Sequence, residues 1–494
     1  MIQVLQQYLP ARKALLVFSE TLILFGVIAA GMTMHLWAPT RSTYVVLAHE
    51  SLSLEIAEQQ CLISSFLFAV LAQIAISFNE LYDLRRSTSS YTRAQRFLVS
   101  AGSALFLTLA VYFITEFSDL GALLNVPGLT PVEAVRKLIF SLVLGFSVLW
   151  TWRIFFHFAL RKAGVRWRWI AIGAGPHVAE LAQEIELHPA VGVELAGLLS
   201  TESDPEPDAR LIEGLYLSTR GLEGGGTLRN LAEFNQVSEL VLPPTDSGLE
   251  LPTEELLKCR LAGVSVRSFE SAFEIVSGKV PVKALRAQDL QTGAGYDRQP
   301  GFEAAKRVLD LSISFTGIIL SFPIQLLAIL VIRLDSKGSA IFQQERVGKN
   351  GQVFTLYKFR SMREDAEAKS GPVWASEADP RMTRVGNMLR KTRIDELPQL
   401  YNVLLGNMSL VGPRPERAHF VDQLSEDIPW FRQRHLVKPG VTGWAQINYP
   451  YGNTVEDARQ KLQFDLFYIK YSSLLFDLSI LVNTAKTVIL RRGT

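Results

Sequence analysis

Residues 308–332 read VLDLSISFTGIILSFPIQLLAILVI, and the way this run meets a membrane decides the layout of everything after it. It is long enough to cross a bilayer, which takes roughly 20 residues of helix. Three features argue that it does not. Pro323, near the midpoint, removes a backbone hydrogen bond and bends a helix sharply. Lys306 and Arg307 flank one end and Arg333 and Lys337 the other, so both ends ask for the cytoplasmic face. Asp310 would be costly deep in lipid. The expectation is a re-entrant helix over 305–335, broken at Pro323, that enters and leaves on one side. The alternative, an ordinary span with a proline kink, would place the chain after Asp335 outside the cell.

Upstream lie four further runs long and apolar enough to span, near Ala14–Leu36, Gln60–Phe78, Phe97–Ile114 and Leu138–Ala159. Their polar interruptions, Glu20, Arg153 and His157, sit toward the ends or face neighbouring helices. Cations gather before the first run (Arg12, Lys13), after the second (Arg85, Arg86, Arg93, Arg96) and after the fourth (Arg161, Lys162, Arg166, Arg168). The other loops hold Arg41, or Arg136 and Lys137 diluted by Glu116, Asp119 and Glu133. Both ends of the bundle therefore face the cytoplasm. Buried helices of a soluble all-α domain are the competing reading, and this charge asymmetry disfavours it.

The whole chain of 494 residues is 48% hydrophobic with a formal net charge of only +2, which gives no argument for nucleic acid as a partner. Cys61 and Cys259 lie far apart, so neither a disulfide framework nor a cysteine metal site follows. The start at Met1 is polar and lacks a small-residue cleavage site, so the first apolar run reads as retained.

From Trp167 the pattern changes. WRWIAIGAGPHVAELAQEI reads as strand, glycine turn and helix, and GVELAGLLS, VSELVLPP and GVSVRSF as later strands. Alternating strands and helices predict a parallel, Rossmann-like α/β domain. The turn at Gly173 and Gly175 lacks the third glycine of the dinucleotide fingerprint, and LLS stands where an acidic residue would follow the next strand. A structural α/β module is favoured over a bound nucleotide. Glu223–Gly226, EGGG, reads as a surface loop. The expected organisation is a transmembrane region over 1–165, the α/β domain over 166–297 and a third domain over 298–494.

Past Lys337 the chain becomes dense in cations and special turns. Ile341–Arg346 and Val353–Phe359 read as a hairpin around a glycine turn. Alternation puts Lys358 and Arg360 on one strand face, which suits a diphosphate, although a solvated strand edge explains them equally well. In RMTRVGNMLRKTRIDELPQLYNVLLGN, residues 381–407, Thr383–Lys391 reads as one helix. Leu397, Leu400, Tyr401 and Leu404 give a second, beginning about Asp395 and ending at Gly406-Asn407. Pro398 fits its first turn. Asp395 and Glu396 then sit at a helix N-terminus, beside unpaired N–H groups and the positive end of the dipole. Ordinary capping is the bland explanation. Their company points further: Arg390, Lys391 and Arg393 come before, and Gly412-Pro413-Arg414-Pro415 after. That setting is expected to keep Asp395 ionised and to attract a phosphate.

At these residues the sequence closely resembles the bacterial polyprenyl-phosphate hexose-1-phosphate transferases, in their large membrane form. KFRSM, RIDELPQL with NVL, MSLVGPRPE and KPGVTGWAQIN carry the resemblance, which covers roughly Gly301 to Thr494. It implies an α/β monotopic catalytic domain with a re-entrant membrane helix, in a multi-pass protein of the bacterial inner membrane whose middle and catalytic domains are cytoplasmic. It implies that Asp395 is the nucleophile, attacking the β-phosphorus of a UDP-sugar, releasing UMP and holding a covalent aspartyl-phospho-sugar. Undecaprenyl phosphate would then take the sugar phosphate. Glu396 would help hold Mg²⁺, and Pro413, Arg414 and Pro415 would help bind the uridine nucleotide.

The chemistry suits these residue types. A carboxylate can accept a phosphoryl group and split one transfer into two steps, and Mg²⁺ takes a carboxylate plus phosphates. Lys358, Arg360, Arg390 and Arg393 are the candidates for phosphate or headgroup contacts. One departure is visible: similar enzymes often show Ser-Pro at the helix break, whereas here Phe322 precedes Pro323 and Ser321 lies one place earlier. Pro450–Gly452, PYG, with the helix expected after it, looks like the exopolysaccharide type, including members associated with exosortase systems, and the amphipathic stretches past Asn448 read as helices lying in the interface or packing in a core. That type points to glucose or galactose phosphate, and the large form to a homodimer. The competing function is a nucleotide-sensing or scaffolding membrane module of polysaccharide assembly.

Overall fold

The computed structural model describes residues 11–37, 53–78, 90–116, 126–162, 167–173, 175–188, 191–199, 216–217, 228, 230, 232, 236–244, 253–286, 301–363, 381–450, 452 and 454–489. The expected loop at 223–226, the loop cations Arg41, Arg85, Arg86 and Arg166, and Tyr451 lie outside them. By packing, the chain forms two compact units, 1–242 with 249–267, and 243–248 with 268–494.

In the first unit, each of the four upstream apolar runs is one helix: α1 (Ala11–Trp37), α2 (Leu54–Phe78), α3 (Ser90–Glu116) and α4 (Pro131–Lys162). Each contains a stretch long and apolar enough to cross a membrane. The helices bury one another through Leu24, Ile28, Met32, Phe68, Ile76, Leu138 and Leu142. They turn Phe18, Phe106, Phe140 and Phe158 outward, an apolar exterior that water would not support but lipid does. The two awkward charges answer each other. Glu20 is fully buried, and Arg153 donates to it through Nε at 2.5 Å and Nη2 at 2.8 Å, the bidentate form that best offsets burial of an ion pair.

The same unit holds a five-stranded, wholly parallel sheet of β1 (Trp167–Ile172), β2 (Val193–Leu199), β3 (Tyr216–Leu217), β4 (Glu239–Val241) and β5 (Ser265–Arg267). The spatial order is β3-β2-β1-β4-β5, so the chain leaves β1 in one direction and then crosses to the other. Helix α5 (Pro176–Leu187) follows β1 directly, and α6 (Thr253–Leu261) precedes β5. The near-continuous apolar runs that signalled the strands are needed because helices cover such a sheet. Ile170, Ile172, Leu199, Leu240 and Cys259 form its core.

Helix α7 (Phe269–Ser277) falls in the second unit, whereas the sequence placed it in the α/β domain ending at 297. Its Glu274, almost wholly buried, takes both carboxylate oxygens to Lys470 Nζ at 2.9 Å and also accepts from the Tyr471 hydroxyl. Just after α7, the Gly278 carbonyl accepts the indole N–H of Trp444 at 2.9 Å. The partners lie far along the chain, which is why local pattern gave no sign of them.

Next comes α8 (Phe302–Asp335), the helix that contains Pro323. It runs through the proline without interruption, so the expected break is not an interruption of the helix. Hydroxyl and amide groups line this point: Ser321 Oγ donates to the Gly317 carbonyl at 2.6 Å, and Gln325 Nε2 donates to Ser321 Oγ at 2.8 Å. Such side chains let a proline sit within a membrane helix. Asp310, Ser314, Gln325, Ala328 and Ile332 make a buried stripe, while Phe315, Leu320, Phe322, Leu327 and Leu330 are exposed. Both ends grip the same globular body. Near the start, Arg307 donates to the Val403 and Leu404 carbonyls at 2.6 and 2.8 Å, and Asp310 accepts from the Leu410 N–H at 3.0 Å. Near the end, Ala328 and Ile332 pack with Ala340, Phe359 and Leu389, where burying each large side chain contributes roughly 1.5–3 kcal/mol.

That body is assembled from short pieces. Strands β6 (Ile341–Val347) and β7 (Val353–Phe359) form the expected antiparallel hairpin, with Ile341 opposite Phe359. Helix α9 (Arg384–Lys391) is capped by Thr383, whose hydroxyl accepts from the Gly386 N–H at 2.9 Å. Helix α10 (Gln399–Leu405) ends at Gly406 in the left-handed conformation. A parallel pair, β8 (Ser409–Val411) and β9 (Gly440–Thr442), and helices α11 (Ala418–Asp427), α12 (Trp444–Asn448), α13 (Val455–Tyr471) and α14 (Leu474–Ile489) complete it.

Candidate active site

The second helix expected from about Asp395 is two elements. Ile394–Glu396 form a 3₁₀ turn entered through Arg393 at φ 57°, and α10 begins only after Pro398. The bonds between them run from each N–H to the carbonyl three residues back, as from Glu396 to Arg393 and from Leu397 to Ile394. Pro398 has no N–H to continue an α-helical ladder through this point, so the tighter turn ends and the helix restarts. Asp395 therefore caps nothing. It is 6% exposed, and its Oδ1 is buried with no hydrogen-bond partner among the described residues. A buried carboxylate oxygen without a donor is costly, and its retention points to a ligand or a reaction rather than to folding.

Asp395 and Glu396 are adjacent but live in opposite surroundings. Burial first, and then the neighbouring Glu396 charge, push Asp395 up to about 6, against the pull of Lys358, Arg390 and Arg393. This corrects the expectation that the cationic setting alone settles its ionisation. Burial would raise Glu396 as well, but Arg414, Lys358 and Arg393 overcome it and hold that carboxyl well below the usual range. All three cations gather on Glu396 Oε1, with Arg414 Nη2 at 2.8 Å, Lys358 Nζ at 3.5 Å and Arg393 Nη1 at 3.7 Å. Burial in turn lowers Lys358. Two carboxylates pushed apart in this way are the usual mark of divided chemical roles.

The structure brings Lys358, Arg393 and Arg414 together with the acid pair, and Arg390 acts on Asp395 through its charge. Arg390 Nη1 also donates to Met382 Sδ at 3.2 Å. Pro413 and Pro415 hold the turn that aims Arg414. The Pro413 carbonyl accepts from the Gly440 N–H at 2.9 Å and that of Pro415 from Arg346 Nη1 at 3.1 Å. The turn is closed by glycine packing, since a Cβ on Gly412 would run into the Lys438 carbonyl and one on Gly440 into the Gly412 backbone. Arg434, nearly buried, bridges the Arg414 carbonyl at 3.0 Å and Asp465 at 2.8 Å.

Arg360 does not join them. Its guanidinium donates to the Lys337 carbonyl at 2.6 Å and to the Ser336 carbonyl and hydroxyl at 2.8 and 2.9 Å, closing the C-terminal end of α8. Orphan carbonyls at a helix end attract such a side chain. Arg360→Ala is accordingly expected to lower the melting temperature and leave the KM for the donor substrate unchanged. A selective rise in KM would return Arg360 to the site.

Two residues that sequence reading passed over stand out. Asn402, fully buried, accepts from the Tyr357 N–H at 3.0 Å and donates to the Thr355 carbonyl at 2.7 Å. It pairs with the edge of β7 as another strand would, and so fixes the strand of Lys358 against the helix that follows Asp395. Gln399, 2% exposed, keeps its amide nitrogen buried without a partner among the described residues. Its spacing of four from Asp395 was the only signal in the sequence.

A family model described as bacterial sugar transferase matches residues 302–491. Over 346 residues the chain is 34% identical to a UDP-glucose:undecaprenyl-phosphate glucose-1-phosphate transferase of Xanthomonas campestris pv. campestris, covering 67% of this chain and 68% of that protein. A UDP-N-acetylgalactosamine-undecaprenyl-phosphate N-acetylgalactosaminephosphotransferase of Aeromonas hydrophila is 40% identical over 234 residues, 47% of this chain and 54% of that protein. An exopolysaccharide production protein of Rhizobium leguminosarum bv. phaseoli is 40% identical over 194 residues, 38% of this chain and 96% of its own length. The chain thus spans about half of the Aeromonas relative and two thirds of the Xanthomonas one.

Proposed function

The chain belongs to the bacterial sugar transferases, and from that membership we propose that it moves a sugar-1-phosphate from a UDP-sugar to undecaprenyl phosphate, the first step of an exopolysaccharide. The observation that carries the reading is the unpartnered, buried Oδ1 of Asp395 beside a Glu396 pinned by three cations. A carboxylate oxygen of Asp395 attacks the β-phosphorus. The bond from that phosphorus to the bridging oxygen breaks, and UMP leaves with the electron pair. An oxygen of undecaprenyl phosphate then attacks the same phosphorus and frees Asp395. Lys358, Arg390, Arg393 and Arg414 supply positive charge where the diphosphate oxygens must lie.

Mg²⁺ fits this donor set, since Asp395 Oδ1 has no hydrogen-bond partner among the described residues and the cations on Glu396 crowd a single oxygen. When bound beside Asp395 and Glu396 it would neutralise diphosphate charge. The topology reading places the catalytic unit and the α/β domain in the cytoplasm, with α8 dipping into one leaflet. Grip at both ends of α8 by one globular body favours this over a crossing helix. The exosortase association and the dimer rest on the sequence resemblance alone.

The test is a panel of UDP-sugars offered to membranes containing the full chain, with UMP release measured. One sugar, UDP-glucose or UDP-N-acetylgalactosamine foremost given the relatives' names, is expected to release UMP and to yield lipid-linked sugar. Absence of UMP release with every donor would leave the scaffolding module as the better reading.

A further inference from the structure

One polar side chain beside the acid pair has no task in the fold. Gln399 opens α10 directly after Pro398, and its amide nitrogen is buried without a hydrogen-bond partner among the described residues. Leu397 and Pro398 both keep right-handed helical backbone, so the 3₁₀ turn of Asp395 and α10 follow one spiral. Residues 395, 399 and 402 are spaced four and three, which sets them on one face. All three are buried polar side chains. Asn402 anchors that face to β7 through the Tyr357 N–H and the Thr355 carbonyl. Next along the same strand, Lys358 reaches Glu396 at 3.5 Å. Gln399 is the step between the two, one helical turn from Asp395.

Two unmet groups thus stand within one turn. Asp395 Oδ1 is a buried acceptor without a donor, Gln399 Nε2 is a buried donor without an acceptor, and they are not bonded to each other. Native structures rarely leave buried polar groups so. Both are answered by a group that offers an electrophilic centre to the carboxylate and anionic oxygens to the N–H. A phosphoryl group does both. The amide also suits the task better than a charge. A cation in its place would pair with Asp395 and hold back the attacking electron pair. A neutral N–H, already fixed by α10, meets a phosphoryl oxygen without that cost.

We propose that Gln399 is a further catalytic residue, whose side-chain N–H donates to a non-bridging oxygen of the β-phosphoryl group while that group passes onto Asp395. The proposal rests on the reading of Asp395 as the nucleophile. The Asp395 oxygen forms its bond to phosphorus with its own electron pair, the bond from phosphorus to the bridging oxygen breaks, and UMP leaves with that pair. Gln399 gives up no proton; it stays neutral and holds the phosphoryl group in line. The same bond steadies the group when an oxygen of undecaprenyl phosphate displaces Asp395.

Full-length wild type, Gln399→Met, Gln399→Leu and Gln399→Glu are compared in lipid nanodiscs with the UDP-sugar that the wild type uses. Single-turnover UMP release without acceptor, steady-state kcat and donor KM with acceptor, and thermal melts are followed. In the Met and Leu variants the release rate and kcat are expected to fall about 10²–10³-fold, the effect of removing one fixed donor. The donor KM should stay close to wild type, as for a bond that matters during reaction. The melting temperature should hold or rise, because an unmet buried polar group is gone. The Glu variant should be at least as impaired, with an acceptor where the donor stood. Wild-type rates in the Met and Leu variants, which a bridging water or a packing role would give, overturn the proposal. So does a wild-type rate in Gln399→Glu, or a loss of rate matched by a lower melting temperature in every variant. Wild type alone tests the nucleophile: if it releases no UMP before acceptor is added, that reading falls and the proposal with it. Normal wild-type release with undiminished variants sinks the proposal alone.

Discussion

Asp395→Asn is expected to abolish transfer and, at the same time, to make the folded protein more stable. On the proposed mechanism, in which Asp395 is the nucleophile, its loss should cut the rate by about 10⁴-fold or more, with no UMP released before the acceptor is added. The stability gain follows from burial. Folding pushes this carboxyl up to about 6, so near neutral pH the fold bears an ionised group that the unfolded chain holds more comfortably in water. Wild-type stability from this group is therefore lowest above about pH 6 and recovers as pH falls toward the unfolded value near 4. The asparagine variant lacks that dependence. Its advantage, on the order of 1–3 kcal/mol, should be full above about pH 6 and shrink toward pH 4. For the same reason wild-type turnover should decline as pH drops through about 6, since the proposed mechanism needs Asp395 unprotonated. Thermal melts at several pH values, paired with UMP release, test both halves.

Glu396→Gln is expected to do the opposite to the fold while also disabling the enzyme. The amide keeps the shape of the side chain but leaves Arg414, Lys358 and Arg393 facing one another without an anion. Removing one member of such a cluster costs roughly 2–3 kcal/mol, less than a fully buried pair because Arg393 and Arg414 reach solvent. Glu396 is held well below the ordinary carboxylate range by Arg414, Lys358 and Arg393. Its contribution is thus present above about pH 4 and fades only in stronger acid, so the deficit should be constant through neutral pH. Two adjacent carboxylates whose neutral replacements move the melting temperature in opposite directions would be hard to explain by capping. Shifts of the same sign at both positions would count against the division of roles drawn here.

What the sequence disclosed depended on how local the cause was. The strand pattern and glycine turn in 341–359 gave the hairpin, and the spacing of Leu397, Leu400, Tyr401 and Leu404 gave α10. The four apolar runs each became a helix, because helix formation in an apolar stretch needs no distant partner. The turn at Asp395 was misjudged by a few residues, since Pro398 reads equally well as the first residue of a helix and as the end of a tighter turn. The destination of Arg360 was hidden because its partners are backbone carbonyls at the end of α8. No pattern in β7 marks that. Asn402 and Glu274 depend on contacts between segments far apart in the chain, and each became visible only once the fold had brought them together.

The most direct measurement is a rapid quench of the full protein with a labelled UDP-sugar and no acceptor lipid, followed by mass analysis of the peptide that contains Asp395. The account predicts a sugar-phosphate adduct on that residue, in an amount matching the first burst of UMP, which disappears when undecaprenyl phosphate is supplied. A UMP burst with that peptide unmodified, or UMP released only when both substrates are present, would contradict it.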